Sequence, residues 1–189
     1  DEPVCRGRLR RGVVRMSADT TTAFYAEHGA GPEWGTPVWV VEPLETAVDG
    51  FDLDPAAGAE PRDYARERFT GPPDGADGLA RDWFGRVWLN PPYGRRHNPR
   101  WAAKVTREVE AGRVRSVTAL VPASTSTDWW HDHYGDADAV TFLDTRLSFV
   151  GSGDTSASFA SCLASFGSFP AEYWRALDDL GRTFREVKE

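Results

Sequence analysis

Four consecutive residues, Asn90-Pro91-Pro92-Tyr93, carry the most chemical information in this chain of 189 residues. Two prolines in a row fix two φ angles and remove two backbone donors. The loop is therefore stiff, and its carbonyls are available to accept from another group. The Asn90 amide adds a side-chain acceptor and donor, and Tyr93 adds a flat apolar face on which a base can stack. An amine held by an amide oxygen and a backbone carbonyl is drawn toward tetrahedral geometry, with its lone pair directed at an incoming electrophile. Aligning a weak nucleophile with a methyl donor in this way is catalysis by positioning. No strong base is needed beforehand, because the amine can shed its proton after alkylation. The plain alternative is a rigid loop, and Pro-Pro-Tyr also occurs in polyproline ligands. Here the string follows an apolar strand directly, whereas linear recognition motifs belong to disordered segments. Asn90, Pro91, Pro92 and Tyr93 are thus the expected catalytic set.

A second string, Asp54-Pro55-Ala56-Ala57-Gly58, also follows a short apolar run. Small residues there let a ligand approach the backbone, and an acid at a strand end can hold a ribose hydroxyl or an amino group. A plain turn is the competing reading. Strand alternation puts Asp52 on the face of Asp54; its role is ambiguous by itself, and it is placed with Asp54 among the expected cofactor contacts. Asp77-Gly78-Leu79 lies in a turn-rich stretch, and Asp77 is either a surface residue or a contact for the adenine end of a cofactor, with Asp74 as its rival. Residues 95–107 contain Arg95, Arg96, Arg100, Lys104 and Arg107 and no acid. A basic stretch beside a base-holding loop is where a phosphate backbone would lie, so Arg95, Arg96, Arg100 and Lys104 are the expected DNA contacts. His97, His131 and His133 come without a convincing ligand cluster, so no metal site is expected. No phosphate-cradling glycine loop is present either.

The elements that must place these residues read as an alternation of strands and helices. Thr36 and Pro37 fit the N-cap and first position of a helix, continued by Val38, Val41, Leu44 and Val48, with Pro43 distorting it. Strands are expected at Phe51–Pro55, ending in acid and proline, and at Val87–Leu89, Val117–Val121, Val140–Leu143 and Phe159–Phe166. Helices are expected at 99–111, in a short turn capped by Thr127 or Asp128, and at 171–186. This pattern predicts an α/β fold with a mostly parallel central sheet and helices on both faces. Ligands of such sheets bind beyond the C-terminal strand ends, where both special strings fall.

Composition excludes several classes. Cys5 and Cys162 are far apart and neither sits in a CxxC pair, so a disulfide scaffold and a cysteine zinc site are not expected. No apolar run reaches membrane-spanning length, and no secretory signal is apparent; a cytoplasmic setting is the expectation. The net charge of −7 argues against a histone-like binder and leaves room for a local basic face. Residues 1–23 read as a basic, disordered tail or start-site extension, with Met16 a candidate start, or as a phosphate-touching arm. Residues 24–189 read as one domain.

Taken in order, Trp34-Gly35-Thr36-Pro37, Phe51-Asp52-Leu53-Asp54-Pro55-Ala56-Ala57, Phe69-Thr70, Asp77-Gly78-Leu79 with Trp83, Val87 through Gly94, Val121-Pro122, Thr127 with Trp129, Arg146 with Phe149, and Ser161-Cys162-Leu163 resemble the phage-type, Dam-like DNA N6-adenine methyltransferases. The resemblance spans about residues 33–166. It implies a Rossmann-like domain using S-adenosylmethionine, with Asp54, Pro55 and Ala56 at the cofactor, Thr36-Pro37 nearby and Asp77 facing it. It implies that Asn90, Pro91 and Tyr93 hold a flipped adenine, that DNA is the partner, and that the enzyme is phage- or prophage-encoded. Two departures stand out: Gly58-Ala59-Glu60-Pro61-Arg62 replaces an Asn-containing segment, and Ala123-Ser124 stands where an arginine often follows. With no separate recognition domain, specificity falls to loops 58–82 or 123–139. The alternatives are methylation of cytosine N4 or of a protein glutamine amide, and an inactive DNA-binding module. A cytosine enzyme usually carries serine at the Asn90 position, and a glutamine enzyme a glycine-rich cofactor loop.

Overall fold

The computed structural model describes residues 35–58, 63–72, 75–150 and 156–186. The basic segment, Trp34, residues 59–62 and Asp74 lie outside them.

Continuous apolar runs become buried strands. The elements, in chain order, are α1 (Val38–Ala47), β1 (Phe51–Asp54), β2 (Ala65–Arg68), β3 (Gly85–Leu89), α2 (Asn98–Glu110), β4 (Val114–Pro122), α3 (Asp128–Tyr134), β5 (Ala139–Leu143), β6 (Ser161–Gly167), α4 (Ala171–Leu180) and β7 (Gly181–Arg185). They build one seven-stranded sheet in the order β2-β1-β3-β4-β6-β5-β7. β2, β1, β3 and β4 pair parallel. β6 then runs antiparallel to both β4 and β5, and β7 antiparallel to β5. Five strands, β1 to β5, therefore point the same way, and this is a Rossmann-like α/β arrangement.

Strand alternation distributes the core to both faces. Val87, Leu89, Val117, Ala119 and Val121 pack with Trp83, Trp101, Val105, Trp130 and Tyr134, on the side covered by α2 and α3. Trp88, Leu120 and Leu163 pack with Val40, Val41, Leu44, Tyr173 and Leu177, on the side covered by α1 and α4. Burial on both faces is why β4 reads as an unbroken apolar string. Among the described residues no helix is long and apolar enough to cross a membrane.

Three sequence expectations are corrected. Thr36 does not cap α1: the cap position is Pro37, without a side-chain bond, and the Thr36 hydroxyl is engaged elsewhere. The last helix stops at Leu180 instead of 186. A Cβ on Gly181 would stand 2.1 Å from the Phe142 carbonyl oxygen, so the chain there lies against β5 and continues as β7. β2, with its polar sequence Ala65-Arg66-Glu67-Arg68, falls within the expected loop 58–82; edge pairing to β1 makes it a strand.

Candidate active site

The chain leaves β1 through a turn closed by its own acid. Asp54 is buried, and its Oδ1 accepts from the Ala56 amide at 3.0 Å, an Asx-type turn. Its backbone carbonyl accepts from the Phe69 amide at 2.9 Å, which brings the end of β2 alongside. A second acidic turn abuts the first. Asp77 is exposed, and its Oδ1 accepts from the Leu79 amide at 2.9 Å. A Cβ on Gly78 would lie 1.9 Å from the Pro55 carbonyl oxygen, so only glycine permits this contact. Trp83 Nε1 donates to the Gly78 carbonyl at 2.8 Å and holds the turn from the other side.

β1 and β3 are adjacent and parallel, with Leu53 opposite Val87. The Asp54 turn and the Asn90 loop thus leave the same sheet edge from strands roughly 5 Å apart. Asn90 Nδ2 donates to Thr36 Oγ1 at 3.1 Å. The Tyr93 hydroxyl donates to Asn90 Oδ1 at 2.8 Å and lies 3.1 Å from the Leu120 carbonyl oxygen. The amide is therefore oriented from both ends. Thr36 is itself fixed: the Tyr64 hydroxyl donates to its carbonyl at 2.7 Å, and Gly35 exchanges backbone bonds with Val150 at 3.1 and 2.9 Å. Pro91 is buried and Pro92 half-buried.

Tyr93 is placed differently from the expectation of an open stacking face. Its ring is only 8% exposed and meets Phe149 and Phe159 edge-on at 5.8 and 5.6 Å. Burial, with smaller contributions from Cys162 and Tyr134, pushes its pKa well above the ordinary tyrosine value. The hydroxyl stays protonated and remains a donor to Asn90.

The basic residues divide. Arg95 and Arg96, in the turn after Gly94, and Arg100, in the first turn of α2, are exposed. Lys104 is a correction. It is buried, and its Nζ donates to Glu108 Oε1 and to the Arg81 carbonyl; helical spacing turned it inward, so it cannot meet DNA. Asp52 does not join Asp54. One oxygen accepts from the Arg86 amide at 2.8 Å and the other lies 3.4 Å from Arg66, so it ties β1 to its neighbours. His131 Nε2 lies 2.8 Å from the Thr125 carbonyl and His133 Nδ1 2.9 Å from Thr106 Oγ1. Among the described residues no group of three His, Cys, Asp or Glu could hold a metal ion.

Sequence reasoning gave no role to Tyr64, Leu120, Phe149 or Phe159. The first two act through long-range pairing that no local signal announces. Phe149 stood among the resembling residues without a function attached.

Comparison with known proteins identifies a family. A DNA N-6-adenine-methyltransferase of Escherichia phage T1 is 29% identical over 118 residues, covering 61% of this chain and 46% of that protein. The chain thus matches less than half the length of this relative. The family model described as DNA N-6-adenine-methyltransferase (Dam) matches residues 26–168, most of the chain and all of the site, and the chain belongs to that family.

Proposed function

We propose that this protein transfers a methyl group from S-adenosylmethionine to the N6 amine of adenine in DNA. The observation that carries the reading is the Asn90 amide, locked between Thr36 and Tyr93 on the sheet edge that also carries the Asp54 and Asp77 turns. The donor set suits S-adenosylmethionine. Two carboxylates on abutting turns can take ribose hydroxyls, an amino group or the adenine edge, and Pro55, Ala56, Thr36 and Pro37 offer small side chains and backbone close by. When bound, S-adenosylmethionine supplies an electrophilic methyl on a positively charged sulfur.

The chain's own residues do the rest. Asn90 Oδ1 receives one hydrogen of the exocyclic amine; an amide oxygen can accept two hydrogen bonds, so the Tyr93 contact is compatible with this. The Pro91 carbonyl takes the other hydrogen, and the lone pair is left facing the donor. Tyr93 acts through Asn90 and fixes the amide's orientation. The adenine must leave the duplex stack to reach this edge. Arg95, Arg96 and Arg100 meet phosphate there.

The test is to incubate the protein with unmethylated DNA and isotope-labelled S-adenosylmethionine, digest to nucleosides and identify the labelled base by mass. Label on N6-methyladenine is expected. Asn90→Ala should lower kcat by at least about 100-fold, because the nucleophile loses its alignment, and leave S-adenosylhomocysteine affinity near wild type. Asp54→Ala should weaken that affinity first. Label on cytosine, or full activity in Asn90→Ala, would overturn the assignment.

A further inference from the structure

We propose that the buried pair Lys104–Glu108 on α2 positions residues 77–83 for the methyl donor, so that it sets donor affinity without touching donor or base. The inference rests on reading Asp54 and Asp77 as the donor site. Lys104 is 3% exposed and Glu108 0%. A buried ion pair is on average no better for stability than well-packed apolar residues, so its contacts must be sought for another purpose. Both of its side-chain contacts with main chain, at the Arg81 carbonyl and the Trp83 amide, lead to one loop.

Lys104 Nζ donates to the Arg81 carbonyl at 2.6 Å. Glu108 Oε2 accepts from the Trp83 amide at 3.2 Å and from Arg113 Nε at 2.7 Å. On the next turn of the same helix, Arg107 Nη2 donates to the Leu79 carbonyl at 3.4 Å. The Trp83 ring sits 5.4 Å from Lys104 Nζ and stacks on Trp101 of α2 at 6.3 Å. From Trp83 the chain of contacts continues through Nε1 to the Gly78 carbonyl, and from Gly78 to the back of Pro55. Residues 77–83 form neither helix nor strand, so no ladder of their own holds them. Their place beside Asp54 depends on this clamp from α2, the helix that starts four residues after Gly94.

Lys104→Met keeps the length of the side chain and leaves Glu108 paired with Arg113. The variant should raise the Kd for S-adenosylhomocysteine and the KM for S-adenosylmethionine about tenfold through misplacement of Asp77. At saturating donor, kcat should stay within about twofold of wild type. Hydrogen exchange should quicken at the Leu79, Arg81 and Trp83 amides and remain slow in β4. Trp83→Phe, which removes the Gly78 bond, should shift donor KM in the same direction. Tyr173→Phe loses a hydroxyl bonded to Thr118 and Ser165 in the opposite layer; it should lower the melting temperature with donor KM unchanged. Wild-type donor KM and loop protection in Lys104→Met would overturn the positioning role. So would a matching rise of KM in Tyr173→Phe, which would mark general loosening. Sensitivity of donor binding to Asp54→Ala alongside indifference to Lys104→Met would overturn this inference alone. Indifference to both Asp54→Ala and Asp77→Ala would remove the donor-site reading, and this inference with it.

Discussion

At Asn90 the side-chain amide has no rotational choice: Thr36 Oγ1 takes one end and the Tyr93 hydroxyl the other. On the proposed mechanism Tyr93 is a positioning residue, and its value can be measured. Tyr93→Phe removes one hydrogen bond and little packing, a change of about 1 kcal/mol. It should lower kcat roughly fivefold while donor affinity holds, as single-turnover rates and calorimetry would show. Because burial lifts the Tyr93 pKa well above its ordinary value, its ionisation should leave no falling limb in the wild-type rate profile between pH 8 and 10; a limb that vanished in Tyr93→Phe would contradict this. The motif itself was plain in the sequence. That Tyr93 lies under Phe149 and Phe159 was not, because those side chains are more than fifty residues away along the chain.

At the scale of elements, α2 presents two unlike faces. Its entry turn and first turn expose Arg95, Arg96 and Arg100, while its inner face carries Trp101, Lys104, Val105 and Glu108. The sequence showed one basic run; the 3.6-residue period of the helix divides it. Arg95→Ala with Arg96→Ala should therefore weaken DNA binding and flatten the slope of log affinity against log salt by about 1 to 2, the release expected for two phosphate contacts. Lys104→Ala should leave that slope unchanged. Filter-binding or anisotropy titrations across a salt series separate the two, and a flattened slope in Lys104→Ala would contradict the division.

Across the whole molecule, the buried charges couple stability to pH. Burial alone would raise the Glu108 pKa, but the hydrogen bonds from Arg113, Lys104 and the Trp83 amide outweigh it and bring it from 4.5 down to about 2. A carboxylate depressed in the folded state stabilises above its unfolded pKa and loses that contribution as pH falls through the folded value. That contribution should be present in full above pH 4.5 and fade toward pH 2. Urea melts of wild type and Glu108→Gln should show a gap at pH 7 that narrows between pH 4.5 and 2; a constant gap would mean that Glu108 is not ionised in the fold. Gly181 works at the same scale. Its lack of a side chain lets the chain pass the Phe142 carbonyl and add β7 to the sheet.

The sequence by itself determined the α/β class, most of the strands, the stiff loop at Asn90–Tyr93 and the acidic turn after β1, because each rests on local physics: apolar runs, proline stiffness and helix period. It also carried the ordered motifs that mark the family. Tertiary structure alone decided which acid faces the site: Asp54 turns into its own loop, whereas Asp52, two residues earlier, is spent on the Arg86 amide and Arg66. It also took Thr36 away from the helix cap its sequence favours and gave its hydroxyl to Asn90, 54 positions on. The physical reason is common to both cases. A polar side chain bonds to whatever the fold brings within about 3 Å, and that neighbour is set by strand order and chain return, which no local pattern encodes.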